Sequence, residues 1–170
     1  MINTNHLDMR RILILGNGAS GKSTAARELH KRLHHPILHL DSLYWMPHWK
    51  HKPKDEFIKK SRQFAAQDHW IIEGTPRCDL EYRLKKSTLV IFLETSTFNC
   101  ILRLCKRSYR CLWHNNNYAD GCPANHISWI ALRWICRFNQ SRKPNILAAC
   151  ENLASHKMYF TRSIQDMPSE

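Results

Sequence analysis

The chain has 170 residues, with 26 Lys and Arg against 14 Asp and Glu, for a formal charge of +12. That length suits one domain. The 43% hydrophobic content excludes a disordered chain, and only 5 Gly and 7 Pro exclude collagen-like and linker-like ones. The basic excess points to an anionic partner: nucleic acid, phosphates or an acidic membrane surface.

In chain order, residues 11–15 (RILIL) read as a short buried strand stopped at Gly16. A helix over 21–34 carries Ala25, Ala26, Leu29 and Leu33 at helical spacing, and Pro36 breaks it. Ile37–Leu40 reads as a second strand ending at Asp41. Residues 54–67 are helical, Trp70–Glu73 is a third strand, and Leu80–Lys85 is a short helix. Leu89–Leu93 is a fourth strand, followed by a helix over 97–110. The segment Asn115–Asn117, Asp120-Gly121 and Pro123 is loop. Helices follow over Ile127–Phe138 and from Pro144 to about 154, and Met158–Phe160 is a last strand. Apolar strands without alternation, separated by helices, imply an α/β domain whose parallel sheet is covered on both faces. Residues 1–170 are expected to form one domain, with a basic helical lid inserted around 108–142.

Seven cysteines and no CxxC pair argue against a disulfide framework. Residues 1–10 are polar, and Ile12–Leu15 is too short for a leader's apolar core. With no long apolar run, no membrane partner is expected, and the compartment expected is cytoplasmic. Cys100, Cys105, Cys136 and Cys150 are expected to fill the core. Cys111, His114, Cys122 and His126 have spacings compatible with zinc, though abundant Cys and His make chance pairs easy.

The strongest signal is Gly16-Asn17-Gly18-Ala19-Ser20-Gly21-Lys22-Ser23, which fits G-x-x-x-x-G-K-[ST] between a strand and a helix. Its backbone amides and the helix N-terminus would cradle phosphates. Lys22 would reach the β and γ phosphates, and Ser23 would ligate Mg²⁺, so ATP·Mg²⁺ is expected at residues 16–24, Thr24 included. Gly16, Gly18 and Gly21 also spell the dinucleotide fingerprint, with Asp41 twenty residues on. Lys22-Ser23 has a role on a triphosphate and none in a dinucleotide turn, which favours the first reading.

Asp41, at a strand's C-terminal end, would accept the proton of an acceptor hydroxyl or hold Mg²⁺ through water; its bland reading is a cap. Tyr44, Trp45 and Trp49 either floor a substrate pocket or pack the core. Glu73 would be a second acid near the metal, and Arg77 would clamp the acceptor.

The segment WIIEGTPR resembles the strand-then-DGxPR element of adenylate kinases, with Glu73 in place of Asp. ILRLCKRSYR resembles their Arg-x-x-x-Arg helix, with Arg103 and Arg107 matching. The order GNGASGKST, HLDSLYW, WIIEG, the Arg helix, GCP, a Trp-containing helix and RKP resembles the bacterial "DNA topology modulation" (FlaR-like) proteins, from about Arg11 to Ser163. Where that subgroup has Asp-Gly-Asn-Tyr, this chain has Glu73-Gly74-Thr75-Pro76. The resemblance implies a P-loop NTPase three-layer fold, adenylate-kinase-like, with a five-stranded parallel sheet and an Arg-rich lid.

Residues 96–145 hold Arg103, Lys106, Arg107, Arg110, Arg133, Arg137, Arg142 and Lys143 against Asp120 alone, so +7 of the +12 sits there. Arg suits gripped oxyanions. Arg103 and Arg107 share a helix face and would stabilise the transferring group, ahead of Arg133, Arg137 and Arg142. The expectation is a kinase that moves the γ-phosphoryl of ATP to an unidentified small-molecule or nucleotide acceptor, with Lys22, Asp41, Arg103 and Arg107 catalytic. The alternative is a nucleic-acid-associated ATPase or a DNA-binding regulator with a nucleotide switch.

Overall fold

In the computed structural model, residues 7–75, 78–113, 117–119, 122–123 and 129–163 are described. The elements run β1 (Arg11–Gly16), α1 (Lys22–Leu33), β2 (Ile37–His39), α2 (Leu40–Tyr44), β3 (Trp45–Met46) and β4 (Lys50–His51). Then come α3 (Lys54–Ala65), β5 (Trp70–Glu73), α4 (Leu80–Lys86), β6 (Leu89–Leu93) and α5 (Thr97–Trp113). The last are β7 (Asn117–Ala119), β8 (Cys122–Pro123), α6 (Trp129–Ser141), α7 (Lys143–Ala154) and β9 (Met158–Thr161).

Five of these strands form one sheet in the order β2-β5-β1-β6-β9. Every pairing in it is parallel. Both faces are buried, which is why the strands read as unbroken apolar runs. Leu13 and Leu15 face a cluster with Trp70 of β5 and with Phe57, Leu84, Phe138, Ile146 and Cys150 from α3, α4, α6 and α7. Ile12 and Ile14 face the opposite cluster, with Ala25, Ala26 and Leu29 of α1. The sequence expectation of a three-layer α/β fold with a five-stranded parallel sheet therefore holds.

Locally the structure departs from the sequence reading or adds to it. The second strand ends at His39, so Leu40 and Asp41 open the five-residue helix α2. Residues 45–51 turn back as the small antiparallel pair β3–β4. Within the segment read as loop, β7 and β8 pair antiparallel. Cys100 and Cys150 are buried as expected, but Cys105 and Cys136 are exposed, on the outer faces of their helices.

Parallel strands bring their C-terminal ends to one edge of the sheet. The register sets Gly16 beside Leu93, Ile14 and His39 beside Glu73, and Leu93 beside Thr161. Everything that follows sits on that edge, as open α/β sheets generally arrange their ligand sites.

Candidate phosphate-binding site

The loop from β1 to α1 needs backbone that side chains resist. Gly16 has φ 146°, Ala19 φ 56° and Gly21 φ 103°. A Cβ on Gly16 would lie 2.8 Å from the Leu93 carbonyl oxygen. This turn aims the first-turn amides of α1, which lack helical acceptors, into the crevice.

Lys22 is only 6% exposed. Its ammonium donates to the carbonyls of Asn17 at 2.6 Å and Gly16 at 3.2 Å. Burial pushes its pKa below the ordinary lysine value, against the opposing pull of Asp41 and Glu73, while Arg107 adds to the lowering. Those same interactions place Asp41 and Arg107 within electrostatic reach of the ammonium.

Ser23 Oγ donates to Glu73 Oε1 at 2.9 Å. His39 Nδ1 meets the same oxygen at 2.5 Å. Glu73 is 3% exposed. Burial pushes its carboxyl pKa upward, but His39, Lys22 and Ser23 outweigh that and hold it below the usual glutamate value of 4.5. A depressed carboxylate contributes stability above its unfolded pKa and loses it as pH falls through the folded one. Glu73→Gln is therefore expected to lose less stability than the parent chain between about pH 5 and pH 3. Urea midpoints across that window check it; equal losses would contradict it.

Helices α5 and α6 touch the loop. Asn17 Nδ2 donates to the Ile135 carbonyl of α6 at 3.1 Å, and Asn17 Oδ1 accepts from the Gly18 amide at 2.7 Å. Cys100, Leu104 and Ile135 form a small buried cluster with Ala19 against it. Asn17→Ala removes a side chain that bonds both the loop and α6. It is expected to speed proteolytic cleavage within residues 108–142 at least severalfold, because local opening of α6 becomes easier; an unchanged cleavage rate would refute the link.

Arg103 Nη1 donates to the Ser20 carbonyl at 2.6 Å. It lines a cleft of about 350 Å³ with Thr24, Glu28, Leu93, Arg162 and Ser163. Ser20 Oγ is buried and has no hydrogen-bond partner among the described residues. That orphaned hydroxyl, the left-handed turns and the inward ammonium fit a polyphosphate. The Ser23–Glu73 pair supplies oxygen donors of the kind Mg²⁺ takes.

The other expected residues lie at differing distances from the loop, Asp41 staying within electrostatic reach of Lys22. Asp41 lies in the first turn of α2, not at a strand end. Tyr44 packs edge-on against Phe57 and Trp45, and Trp45 does so against Trp49. These aromatics make a continuous nest over α3, with Tyr44 partly buried against the main core and Trp49 exposed. Arg133 and Arg137 face solvent. Arg77, His114 and His126 lie outside the described residues, as do the side chains of Cys111 and Cys122.

Two polar residues, the half-buried His39 and the buried Arg83, escaped sequence reading. His39 ends an apolar run, and only its partner 34 residues away gives it a role. Arg83 is fully buried, donating to the Cys78 carbonyl at 2.7 Å and Ser61 Oγ at 3.2 Å. Burial lowers its pKa to about 10, against the opposing charges of Asp79 and Cys78. It fixes the chain that leaves β5 against α3, yet it reads as one charge in the run LEYRLKK.

No protein-family model matches the chain, and no curated protein matches it in sequence. Solved structures do match its fold. The shikimate kinase of Acinetobacter baumannii, in complex with shikimate, is 13% identical with a TM-score of 0.58, over 92% of this chain and 85% of that one. The shikimate kinase of Bacteroides thetaiotaomicron is 15% identical with a TM-score of 0.53, over 91% and 86%. The fold is thus that of the P-loop kinases. Among the described residues, no helix is long and apolar enough to cross a membrane.

Proposed function

We propose that the protein is an ATP-dependent phosphotransferase acting on a small-molecule acceptor in the cytoplasm. The observation that supports it most is the meeting of Lys22, Ser23 and Glu73 around a loop whose left-handed turns suit close phosphate approach. Bound ATP·Mg²⁺ would supply the transferable phosphoryl group and a cation to neutralise its oxygens.

In this reading the amides of residues 16–24 hold the phosphates, and Lys22 exchanges its two carbonyls for phosphate oxygens. Ser23 offers its hydroxyl to the metal, and Glu73, oriented by His39, holds that hydroxyl in place. The bond from the γ-phosphorus to the bridging oxygen breaks, ADP leaves, and a bond forms to the acceptor oxygen. Asp41 takes the acceptor proton. Arg103 and Arg107 offset charge on the transferring group, and residues 108–142 act as the lid that excludes water. Tyr44, Trp45, Trp49 and Arg77 belong to the acceptor side. Membership of the FlaR-like subgroup is part of this proposal and rests on the motif order from Arg11 to Ser163.

The test is an ADP-release screen over hydroxyl-bearing metabolites and nucleosides, with Lys22→Ala as the blank. One acceptor class should raise Lys22-dependent ADP release well above the rate with water alone. If no acceptor does, and nucleotide binds equally well without Lys22, the proposal fails.

A further inference from the structure

The crevice has a second cavity, on the other side of the phosphate loop from the Arg103 cleft. The sheet order fixes this. The loop leaves the central strand β1; the Arg103 cleft lies over β6, whose Leu93 lines it. The second cavity lies over β5, beyond whose end Thr75 stands. It is lined by Thr75, Leu80, Trp134, Arg142, Asn145 and Ile146, with a volume of about 130 Å³. That is roughly ten times what one water needs, about 10–15 Å³.

Three polar side chains converge there with no hydrogen-bond or ion-pair partner among the described residues. Thr75 is 94% buried, at 6% exposure, so its hydroxyl has only the cavity to serve. Arg142, an exposed residue, lies over Trp134, its guanidinium carbon 4.6 Å from the ring centroid, and has no carboxylate partner among the described residues. Asn145 adds an amide. The cavity is also at the N-terminus of the 12-residue helix α7, with Arg142 at its N-cap position and Pro144 in its first turn. Helix start and guanidinium both favour negative charge. Lys143 is used elsewhere: it bonds Glu94 at 2.9 Å. Among the described residues, no acid lines the cavity. The cavity also abuts the phosphate loop, since a Cβ added at Gly18 would lie 3.8 Å from Trp134 Cδ1.

We propose that this cavity binds an oxyanion of the acceptor, a carboxylate or a phosphate ester, and so selects anionic acceptors that carry a hydroxyl. Thr75, Arg142 and Asn145 hold the anion while the hydroxyl faces the phosphate loop. This rests on the phosphotransferase reading above and narrows its acceptor class.

The probes are orthophosphate, malonate and the neutral polyol erythritol, titrated calorimetrically at constant ionic strength. Titrations use the full chain and, separately, Lys22→Ala, which removes the ammonium from the other anion site. At least one anion should saturate in both chains. Arg142→Ala should weaken that binding by on the order of tenfold or more, as loss of a charge-assisted pair does. Thr75→Val should weaken it severalfold, and Thr75→Ser should restore it; thermal melts confirm that the variants fold. Stronger malonate binding marks a carboxylate acceptor, stronger orthophosphate binding a phosphate ester, and either supports the subsite. Failure of both anions to saturate overturns it, as does binding indifferent to Arg142 or erythritol binding as tightly as the anions. If nucleotide affinity ignores Lys22 while anion binding needs Arg142, the phosphotransferase reading falls and the subsite stands. If nucleotide binding needs Lys22 and no anion response needs Arg142, the subsite alone falls.

Discussion

Lys22→Ala is expected to cut ATP-dependent ADP formation by about 10²–10³-fold, the range seen when one preorganised charge stabiliser is removed from a reaction centre. The ammonium is buried at a cost, and among the described residues only the Asn17 and Gly16 carbonyls receive its hydrogen bonds. A cation kept desolvated beside a loop of left-handed turns is preorganised for an anion that arrives later. Folding should survive the change. Two carbonyls lose a donor, at about 1–3 kcal/mol, within a total stability of about 5–15 kcal/mol. Lys22→Met, which keeps the apolar stem, should lose turnover to the same degree while melting closer to the parent chain. Single-turnover ADP formation and a nucleotide titration decide this. Full affinity and turnover in both variants would refute the role.

Gly16→Ala carries the largest expected stability loss, about 2–6 kcal/mol. Two costs add. A φ of 146° is poor for any residue with a Cβ, at about 1–3 kcal/mol. The new methyl would also stand 2.8 Å from the Leu93 carbonyl oxygen, and overpacking of that kind costs about 1–3 kcal/mol. The oxygen cannot retreat easily, because Leu93 is paired with Gly16 on one side and Thr161 on the other. For a domain of this size the melting temperature should fall by roughly 10 °C. Gly18→Ala is the contrast. Its methyl would meet Ile135 Cγ1 at 3.0 Å, a side chain that can shift, so the loss should be smaller and felt at α6. A Gly16→Ala protein that melts like its parent would contradict this account.

The sheet was legible because its strands are buried on both faces, so each shows as a short apolar run between breakers; Leu89–Leu93 and Trp70–Glu73 matched residue for residue. The phosphate loop was legible because its motif is contiguous. What sequence reading missed depends on distance along the chain. Glu73 was read as an acid near the metal, but its sharing between Ser23 and His39 joins residues 50 and 34 positions away. The cavity at Thr75 needs three segments to meet, and Arg142 drew notice only as part of a charged stretch. Helix α2 was missed because its five residues are too few to show a period, and because Leu40 continues the apolar pattern of β2. Cys105 and Cys136 were assigned inward because cysteine is usually buried, but an amphipathic helix has room for it on the outer face too.

The sheet order also bears on how the chain assembles. Four of the five strands, β2, β5, β1 and β6, lie within residues 11–93 and are neighbours in that order. As a chain is made from its N-terminus, these four can pair before the Arg-rich helices exist. Of these five strands only β9 comes late, and among the described residues its sheet partner is β6. Until residues 158–161 arrive, β6 presents an open edge of Leu89–Leu93, five apolar residues that invite pairing with another chain. The last strand is thus the stopper of a sheet that is otherwise ready early, and a nascent chain that stalls between β6 and β9 is the form most prone to aggregate.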